Sequence, residues 1–371
     1  MIEGADIRAM AVSAPLPRRG DVKAYVEDVL ALEVSEYARA LAKELGVSVR
    51  TCRLVFPYLE DLSVALNVEA RTVAEGLCDT VEDTREIDYV ALPLHRAKNA
   101  SWIVEVLRRY EKAFFSLPYS RDEEAEIARL IRDISTKAGP VEAAHFAVSF
   151  GEQPQTPYFP ATASRGAATM LSLLYPTYLR RAIRRGDELH RAVRELARRV
   201  AETAEATLKS FNVPRRLYLD YSLSPWMEDS VAAVIEDLKG GDLTRPGTHS
   251  AILEINSAIR DAAERYKGVG YNEVMLPVAE DNRLKELVAS GKLGLQLLVS
   301  YVSVCVAGLD MVLLPLGVDD RFLVSLMRDL DAIRSVKGRA VGMRVILVDA
   351  GPGDIVELGF FGRTPVADPY R

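Results

Sequence analysis

Cysteine, histidine and glutamine are scarce in this chain of 371 residues, which has three, four and three of them. Cys52, Cys78 and Cys305 are odd in number and far apart, so the sequence predicts neither a disulfide framework nor a zinc cluster. The shortage of glutamine beside abundant arginine favours a thermophilic source. Chemistry that depends on disulfides or cysteine-bound zinc is therefore not expected.

The chain also lacks a long apolar run. Residues 1–20 have no uninterrupted apolar core of the kind found in signal peptides, and no later segment is typical of a membrane helix. The net charge of −6 gives no reason to expect nucleic acid or an anionic membrane as a partner. We therefore expect a cytoplasmic protein with a small-molecule ligand, and neither nucleic acid nor membrane as partner.

Sequence motifs of the common enzyme classes are missing as well. The chain has no Walker loop, no G-x-S-x-G elbow, no H-E-x-x-H pair and no C-x-x-C. No G-x-G-x-x-G follows the first predicted strand, which argues against a dinucleotide-binding sheet. Fold and function are therefore inferred from the hydrophobic pattern and from the positions of polar residues.

The chain does have a regular alternation of short apolar runs and amphipathic helices. This alternation predicts a parallel sheet covered by helices. The predicted strands are 7–13, 49–56, 87–94, 113–119, 142–150, 216–222, 272–278, 309–316 and 342–349. A count of nine or ten strands favours a closed β/α barrel, and long helices are expected over 166–211.

One segment, 151–166, interrupts the alternation. Its sequence, GEQPQTPYFPATASRG, is rich in proline and turn residues, and a long irregular segment in a compact domain is often a binding loop or a lid. We expect a single domain over 1–371. Arg165, near the end of the segment, is a candidate residue for binding an anionic ligand.

Adjacent carboxylates follow the predicted strand 272–278, in the sequence VMLPVAEDNRL. In parallel β/α folds, functional residues collect on the loops that leave the carboxyl ends of the strands. Asp281 is also placed to cap the next helix through backbone N–H groups, which leaves Glu280 free. We take Glu280 and Asp281 as candidate catalytic residues and Asn282 as a candidate ligand-binding residue.

Two further strands carry a carboxylate at one end. Asp220 closes the run RLYLD and would be costly to bury unpaired, so it is a candidate catalytic residue, with Ser222 as a ligand-binding candidate. Ser224 is expected to cap a helix that begins near Pro225. Asp310, also a catalytic candidate, opens the run LDMVLLP, where it caps a turn or points into a polar centre.

Candidate histidines, threonines and thiols are few. Thr248 and His249 precede a helix in RPGTHSAI, where Thr248 caps the helix or helps to bind an anion, and His249 is expected near the carboxylates. His95 follows a strand and is a ligand-binding candidate. Cys305 is the candidate nucleophile, although its apolar surroundings favour an inert thiol. Two histidines are expected to be structural: His145 and His190.

The carboxylates support two kinds of chemistry that the sequence leaves open. Asp220, Glu280 and Asp310 would suit a hard divalent cation, because Mg²⁺ and Ca²⁺ prefer oxygen ligands. The same groups would suit general acid and base catalysis if burial separates their pKa values. A divalent cation is therefore a candidate cofactor.

Several segments, in their order along the chain, resemble a known family. The blocks LDYSLSPWMEDSVA, PGTHSAI, NEVMLPVAEDNRL, VCVAGLDMVLLP and GDIVELGFFGRTPV resemble domain-of-unknown-function family 711, also called the PFL family, over about 217–366. The resemblance implies a ten-stranded β/α barrel similar to pyruvate formate-lyase and other glycyl radical enzymes. In that fold two five-stranded parallel halves lie antiparallel, and 151–166 would be the join between them.

The resemblance implies no established activity. Glycyl radical enzymes place a C-terminal glycine opposite a cysteine, for which this chain offers Gly359 and Cys305. Gly359 lacks the preceding arginine and the expected valine spacing, so radical catalysis is the least favoured hypothesis.

We expect a metabolic enzyme that binds a small polar or anionic metabolite at the barrel centre. The alternative is a non-catalytic metabolite-binding or regulatory protein linked to amino-acid metabolism, because relatives are often encoded beside a small ACT-domain protein. The amphipathic helices of 166–211 support a homodimer.

Overall fold

The computed structural model describes residues 2–17, 20–82 and 84–371. Within these ranges, nine strands form one sheet and two short strands form a separate hairpin, which gives the mixed α/β fold that the alternation predicted. The strands are β1 (Asp6–Ser13), β2 (Cys52–Val55), β3 (Tyr89–Pro93), β4 (Ala113–Pro118), β5 (Phe146–Phe150), β6 (Ala168–Leu174), β7 (Leu217–Asp220), β8 (Leu309–Pro315), β9 (Val341–Val348), β10 (Ile355–Glu357) and β11 (Arg363–Pro365).

Helices separate most of the strands. None of the helices in the described ranges combines the length and the apolarity needed to cross a membrane. The helices are α1 (Val22–Leu30), α2 (Val34–Leu45), α3 (Leu59–Leu66), α4 (Ala70–Glu82), α5 (Ile103–Arg109), α6 (Glu124–Asp133), α7 (Pro140–Ala143), α8 (Pro176–Arg185), α9 (Leu189–Leu208), α10 (Val231–Lys239), α11 (Thr248–Arg265), α12 (Asn282–Ala289), α13 (Leu295–Val302) and α14 (Asp320–Lys337).

The large sheet contains strands of both directions. Strands β1 to β5 are parallel neighbours in chain order. At one edge β6 pairs antiparallel with β1 and parallel with β7, and at the other edge β9 pairs antiparallel with β5 and parallel with β8. The chain changes direction between the end of β5 and the start of β6, so the irregular segment 151–167 connects two sets of strands that run in opposite directions.

The segment 268–275 lies beside β7 without forming a regular strand. Parallel bridges join Leu219 to Gly268 and Leu223 to Val274, and the amide of Val306 donates to the carbonyl of Val274 at 3.0 Å. The prediction of a strand over 272–278 is therefore wrong for the described backbone. The left-handed conformation at Asn272, with φ of 53°, interrupts the extended run.

Strand β6 was not predicted. The stretch 168–174 was included in the long helices expected over 166–211, because alanine, methionine and leucine are strong helix formers. In the structure this stretch pairs with β1 and β7 and is buried along its whole length, and α8 begins only after it, at Pro176. Burial on both faces and strand pairing thus outweigh local helix propensity.

The two faces of the sheet pack into different clusters. On β1, Met10 and Val12 belong to the main core that the helices complete. Ala11 belongs instead to a separate cluster with Phe159 of the irregular segment and Tyr218 of β7. The other members of this cluster are Val55, Ala91, Ala168 and Met170. Phe159 also lines a cavity.

Candidate functional site

A cavity of about 1190 Å³ lies beside the large sheet. Its lining includes residues of β1 to β5, β8 and β9, residues of α4, α5 and α7, the segment 158–161, and residues that follow β7 and β10. A cavity of this order accommodates a small metabolite. In addition to the residues described below, its charged lining residues are Arg50, Glu82, Arg85, Asp88, Glu111, Lys112 and Glu142.

Glu280 lies in this cavity between two arginines from distant parts of the chain. A guanidinium nitrogen of Arg8, on β1, donates to one carboxylate oxygen, and Nη2 of Arg344, on β9, donates to the other at 3.0 Å. Burial raises the pKa of Glu280, but the two guanidiniums outweigh it and hold the pKa below its ordinary value. The Nε atom of Arg8 is buried and has no hydrogen-bond partner in the described part of the chain.

Asp310 binds to the same arginine as Glu280. Arg344 donates from Nε at 2.6 Å and from Nη2 at 3.0 Å to the two oxygens of Asp310. Burial raises the pKa of Asp310, and the charge of Glu280 adds to this effect, whereas Arg344 opposes it. The pKa values of Glu280 and Asp310 are therefore displaced in opposite directions, which is how paired carboxylates divide the roles of acid and base.

Arg53, on β2, adds a third guanidinium to the cavity. Its Nε donates to Thr51 at 2.9 Å and its Nη1 to the carbonyl of Pro157 at 3.1 Å. Its charge lies over the rings of Phe159 and Tyr89, at 5.0 and 5.6 Å from their centroids. Burial, with the nearby charge of Arg8 adding to it, lowers the pKa of Arg53 to about 10. No carboxylate within the described ranges forms an ion pair with it.

His145 also lines the cavity, and sequence reasoning missed it. The residue directly precedes β5, and its ring stacks on Phe114 with 4.0 Å between centroids. Burial, reinforced by the positive charge of Arg344, lowers the pKa of His145 to about 4. The imidazole is therefore neutral near pH 7. The sequence places His145 inside the predicted strand 142–150, where nothing distinguishes it from a structural histidine.

Two tyrosines fix the irregular segment at the wall of the cavity. The hydroxyl of Tyr158 donates to the carbonyl of Ser222 at 3.0 Å and lies 3.2 Å from Ser224 Oγ. The hydroxyl of Tyr271 donates to the carbonyl of Ala161 at 3.0 Å. Burial raises the pKa of both phenols, so both stay protonated at neutral pH.

Asp220 lies outside the set of residues that line the cavity. Its carboxylate accepts hydrogen bonds from the hydroxyls of Thr156 and Ser222, each at 2.6 Å. The backbone amides of Ser222, Tyr271 and Asn272 also donate to it, at 2.9 to 3.1 Å. Asp220 thus ties the end of β7 to the irregular segment and to 271–272, and Ser222 belongs to the same network.

Asp281 is the N-cap of α12, as predicted, and it also joins two helices. It accepts hydrogen bonds from the amides of Arg283 and Leu284, and from Ser230 Oγ at 2.7 Å. Burial raises its pKa although these donors oppose the shift. The prediction of a helix near Pro225 capped by Ser224 is wrong, because α10 begins at Val231 and Ser230 caps it.

The candidates at the starts of α12 and α11 do not line the cavity. Asn282 donates to Glu228 at 2.7 Å. Thr248 is buried, and its hydroxyl donates to the carbonyl of Leu243 instead of accepting from the helix, whose N-cap is Gly247. His249 Nε2 lies 3.1 Å from Ser300 Oγ. Asn282, Thr248 and His249 are therefore not among the residues that line the cavity with Glu280 and Asp310.

His95 and Arg165 are exposed and lie outside the cavity. His95 Nε2 is 3.0 Å from Asp61, and the ring stacks on Tyr58. Arg165 pairs with Glu152 at 2.7 Å. Neither side chain lies among the residues that bring Glu280 and Asp310 together.

Cys305 and Gly359, the pair suggested by radical enzymes, do not line the cavity as far as the structure describes it. Cys305 is buried, and burial raises the pKa of its thiol to about 11 although Lys337 opposes the shift. Gly359 packs near Val141, while Phe360 and Phe361, which follow it, line the cavity.

The three carboxylates proposed as metal ligands do not form one cluster. Among the residues the structure describes, no three histidine, cysteine or carboxylate side chains are placed to hold a metal ion. Glu280 and Asp310 face each other across Arg344, whereas Asp220 belongs to the separate network of hydroxyls and amides.

A family model described as "Uncharacterised ACR (DUF711)" matches residues 5–359. The chain belongs to this family. The resemblance found in the sequence is therefore confirmed. A DUF711 relative from Pyrobaculum islandicum, a UPF0210 protein, is 25% identical over 409 aligned residues that cover 98% of this chain and 90% of that protein.

Bacterial relatives match over shorter stretches. A UPF0210 protein of Lacticaseibacillus paracasei is 34% identical over 156 residues, which cover 40% of this chain and 34% of that protein. A UPF0210 protein of Desulforudis audaxviator is 31% identical over 188 residues, or 49% of this chain and 41% of that protein. The DUF711 chain thus matches less than half the length of these two relatives.

Among solved structures, the DUF711 chain is similar to the anaerobic ribonucleotide reductase from Thermotoga maritima, determined with citrate in its active site. The two chains share 10% identity, and the alignment covers 91% of this chain and 79% of that one with a TM-score of 0.42.

Proposed function

We propose that this DUF711 protein is an enzyme that binds a small carboxylate-bearing metabolite in the cavity and transfers a proton to or from it. The observation that carries the proposal is Arg53, whose guanidinium faces the cavity with no carboxylate partner in the described ranges. A partly buried cation without an ion-pair partner favours an anionic ligand, and a guanidinium binds a carboxylate through two parallel hydrogen bonds.

Further donors near Arg53 support the same ligand class. The buried Nε of Arg8 has no acceptor in the described part of the chain, so a ligand oxygen would satisfy it. Arg8 and Arg344 are partly neutralised by Glu280 and Asp310, whereas Arg53 is not. Among Arg8, Arg53, Arg344, Glu280 and Asp310, three guanidiniums stand against two carboxylates, while the other charged lining residues add three positive and four negative charges.

Asp310 and His145 are the residues we assign to proton transfer. The raised pKa of Asp310 means that its carboxyl group holds a proton more readily than an ordinary aspartate does, which suits a group that both donates and accepts a proton. The neutral His145 is a second acceptor on the same wall. Glu280, held ionised between two arginines, would orient those arginines and keep their charge directed at the ligand.

We also propose that the segment 268–275 acts as the tenth strand of a closed barrel. The bridges to Leu219 and Leu223 on one side and the bond from Val306 on the other support this arrangement. Closure would give the cavity a continuous wall and would restrict the exchange of water, which strengthens the electrostatic contacts inside it.

The alternative is a non-catalytic metabolite-binding protein. The observation that favours it is the close pairing of both carboxylates with Arg344, at 2.6 to 3.0 Å. Carboxylates engaged in this way are less available as bases until a ligand competes for the guanidinium.

Binding is tested by screening mono- and dicarboxylates and amino acids for thermal stabilisation, followed by calorimetric titration of those that stabilise. Replacing Arg53 by glutamine is expected to weaken the affinity about tenfold or more, because a charge-assisted hydrogen-bonded pair is lost. Arg129→Gln, an exposed arginine of α6 outside the cavity, is the matched control. Undiminished binding in Arg53→Gln would contradict the proposal.

Catalysis is tested separately with any ligand that binds. The protein is incubated with the ligand in heavy water, and loss of proton signals is followed by nuclear magnetic resonance. Exchange or product formation in the wild type that is abolished in Asp310→Asn supports the enzyme, whereas binding without exchange or product supports the non-catalytic alternative.

A further inference from the structure

A second pocket, of about 640 Å³, shares no lining residue with the cavity. It is lined by 151–155 and Arg165 of the irregular segment, by the start of β7, by 269–270, and by the stretch between α14 and β9. Four arginines and one carboxylate are its charged lining residues within the described ranges: Arg165, Arg216, Arg334, Arg339 and Glu152. We propose that this pocket binds a phosphate group, either free or as part of a small phosphorylated molecule.

The ion pairs behind the pocket leave it with an excess of positive charge. The buried carboxylate of Glu273 is shared by Lys337 at 2.9 Å, Arg260 at 3.3 Å and Arg339 at 3.4 Å. One negative charge therefore faces three cations, of which Arg339 lines the pocket. Arg216 has no ion-pair partner within the described ranges.

The remaining arginines are held in place by groups that leave donors unused. Arg334 pairs with Asp331 at 3.0 Å through Nη2, while its Nε is buried and has no acceptor in the part of the chain that the structure describes. Arg165 pairs with Glu152 and also donates to the carbonyl of Gln153 at 2.8 Å. These contacts position the guanidiniums in advance, which lowers the entropic cost of binding an anion.

Phosphate fits this arrangement better than a carboxylate does. A carboxylate offers two oxygens in one plane, whereas a phosphate offers several oxygens in different directions and up to two negative charges. The four arginines come from three parts of the chain, because Arg334 and Arg339 lie at the end of α14 and just after it, and all four line the same pocket. The volume also accommodates more than the phosphate itself, which is why a phosphorylated molecule is included.

The site does not depend on the function proposed for the cavity. The irregular segment supplies both, with Gln155 and Arg165 on the second pocket and Tyr158 and Phe159 on the cavity. The two sites would bind different molecules, and each site can be tested alone.

Calorimetric titration of the full chain with inorganic phosphate, pyrophosphate and a simple phosphate monoester tests the proposal, with sodium chloride matching the ionic strength. Arg216→Gln is the main variant because Arg216 is exposed and has no ion pair to break. Its loss is expected to weaken phosphate or pyrophosphate binding about tenfold, the effect of one charge-assisted hydrogen bond. Binding is expected to be unchanged in Arg129→Gln.

The arms of the experiment distinguish the sources of the signal. Tighter binding of the monoester than of inorganic phosphate indicates a phosphorylated metabolite as the ligand. Tighter binding of inorganic phosphate indicates free phosphate. Either order of affinity supports the site if Arg216→Gln weakens the binding. Failure of all three probes to bind would overturn the proposal. If only Arg53→Gln weakens the binding of the probes, the anion binds in the cavity. If Arg129→Gln weakens it as much as Arg216→Gln does, the binding is non-specific electrostatic attraction. Either result overturns the proposal.

Discussion

Glu280 and Asp281 are neighbours in the chain, yet they lie in two regions with different electrostatics. Glu280 faces the cavity, where its charge is balanced by the side chains of Arg8 and Arg344. Asp281 faces the opposite way, where backbone amides and Ser230 donate to it. The same contrast separates Asp310, which is paired with Arg344, from Asp220, which is surrounded by amides and hydroxyls.

The difference indicates which carboxylates are available for function. Backbone amides are fixed by the fold, so Asp220 and Asp281 cannot exchange their partners without local unfolding. Guanidinium side chains can bind a ligand as well as a carboxylate, so the contacts of Glu280 and Asp310 can change when a ligand binds. We therefore assign structure to the amide-bound carboxylates and ligand chemistry to the arginine-bound ones, and the predictions below test that division.

The largest loss of stability is expected from Asp220→Ala. The substitution leaves the buried amides of Tyr271 and Asn272 and the hydroxyl of Thr156 without their acceptor. With about 1–3 kcal/mol for each unsatisfied group, partly relieved by entering water, we expect a decrease of about 4 kcal/mol in the free energy of unfolding. Denaturant unfolding measures it. Asp220→Asn keeps one acceptor and should cost less, and a near-neutral Asp220→Ala would refute the structural assignment.

Arg344→Met is expected to cost about 3 kcal/mol of unfolding free energy at pH 8, because it leaves two buried carboxylates facing each other. The loss should shrink toward pH 5. Without the guanidinium the pKa of Asp310 rises further above its unfolded value, so the folded state takes up a proton and gains stability as the pH falls through that window. Unfolding curves at several pH values measure this, and a pH-independent loss would contradict the electrostatic explanation.

His145→Gln is expected to have the smallest effect, and only in acid. The pKa of His145 is about 4 in the folded protein and near 6.5 when unfolded, so between these values the unfolded state binds the extra proton. Stability from this residue is therefore complete above pH 6.5 and is lost as the pH falls toward 4. As the pH falls over this range, we expect the free energy of unfolding to decrease by about 2 kcal/mol less in the variant than in the wild type.

Thermal or denaturant unfolding at pH 7.5 and pH 4.5, chosen on either side of the ordinary histidine pKa, compares the two proteins. His190→Gln, at a partly buried position of α9 outside the cavity, serves as the control for the loss of a histidine elsewhere in the chain. An identical acid response in wild type and His145→Gln would show that this imidazole is not held neutral by the cavity.

The sequence predicted most of the strands and the family, but its errors have clear physical causes. Apolar runs at 113–119 and 309–316 correspond closely to β4 and β8, because buried parallel strands are continuous and apolar. The stretch 168–174 was misassigned because its residues favour helix until β1 and β7 pair with it. The cap at Asp281 was predictable, since it depends only on local sequence.

The candidate site was predicted only in part. Glu280 and Asp310 were selected because polar residues flanking apolar runs can be read from sequence. Arg8, Arg53 and His145 were missed, because a charged residue within or just before a strand gives no sign of whether it faces helices or cavity. Asp220 looked the same as Glu280 in the sequence, although amides and hydroxyls bind Asp220 and guanidiniums bind Glu280.

The amino-acid sequence by itself determined the α/β alternation, the family and the identity of the carboxylates worth examining. These depend on hydrophobic periodicity and on short motifs, which are local properties of the chain. Only the tertiary structure decided which carboxylates share a centre, because Arg8 and Glu280 are separated by 272 positions. Strand register and the antiparallel arrangement of the two sets of strands bring Arg8 and Glu280 into contact. Neither of these two features can be predicted from a local stretch of the sequence.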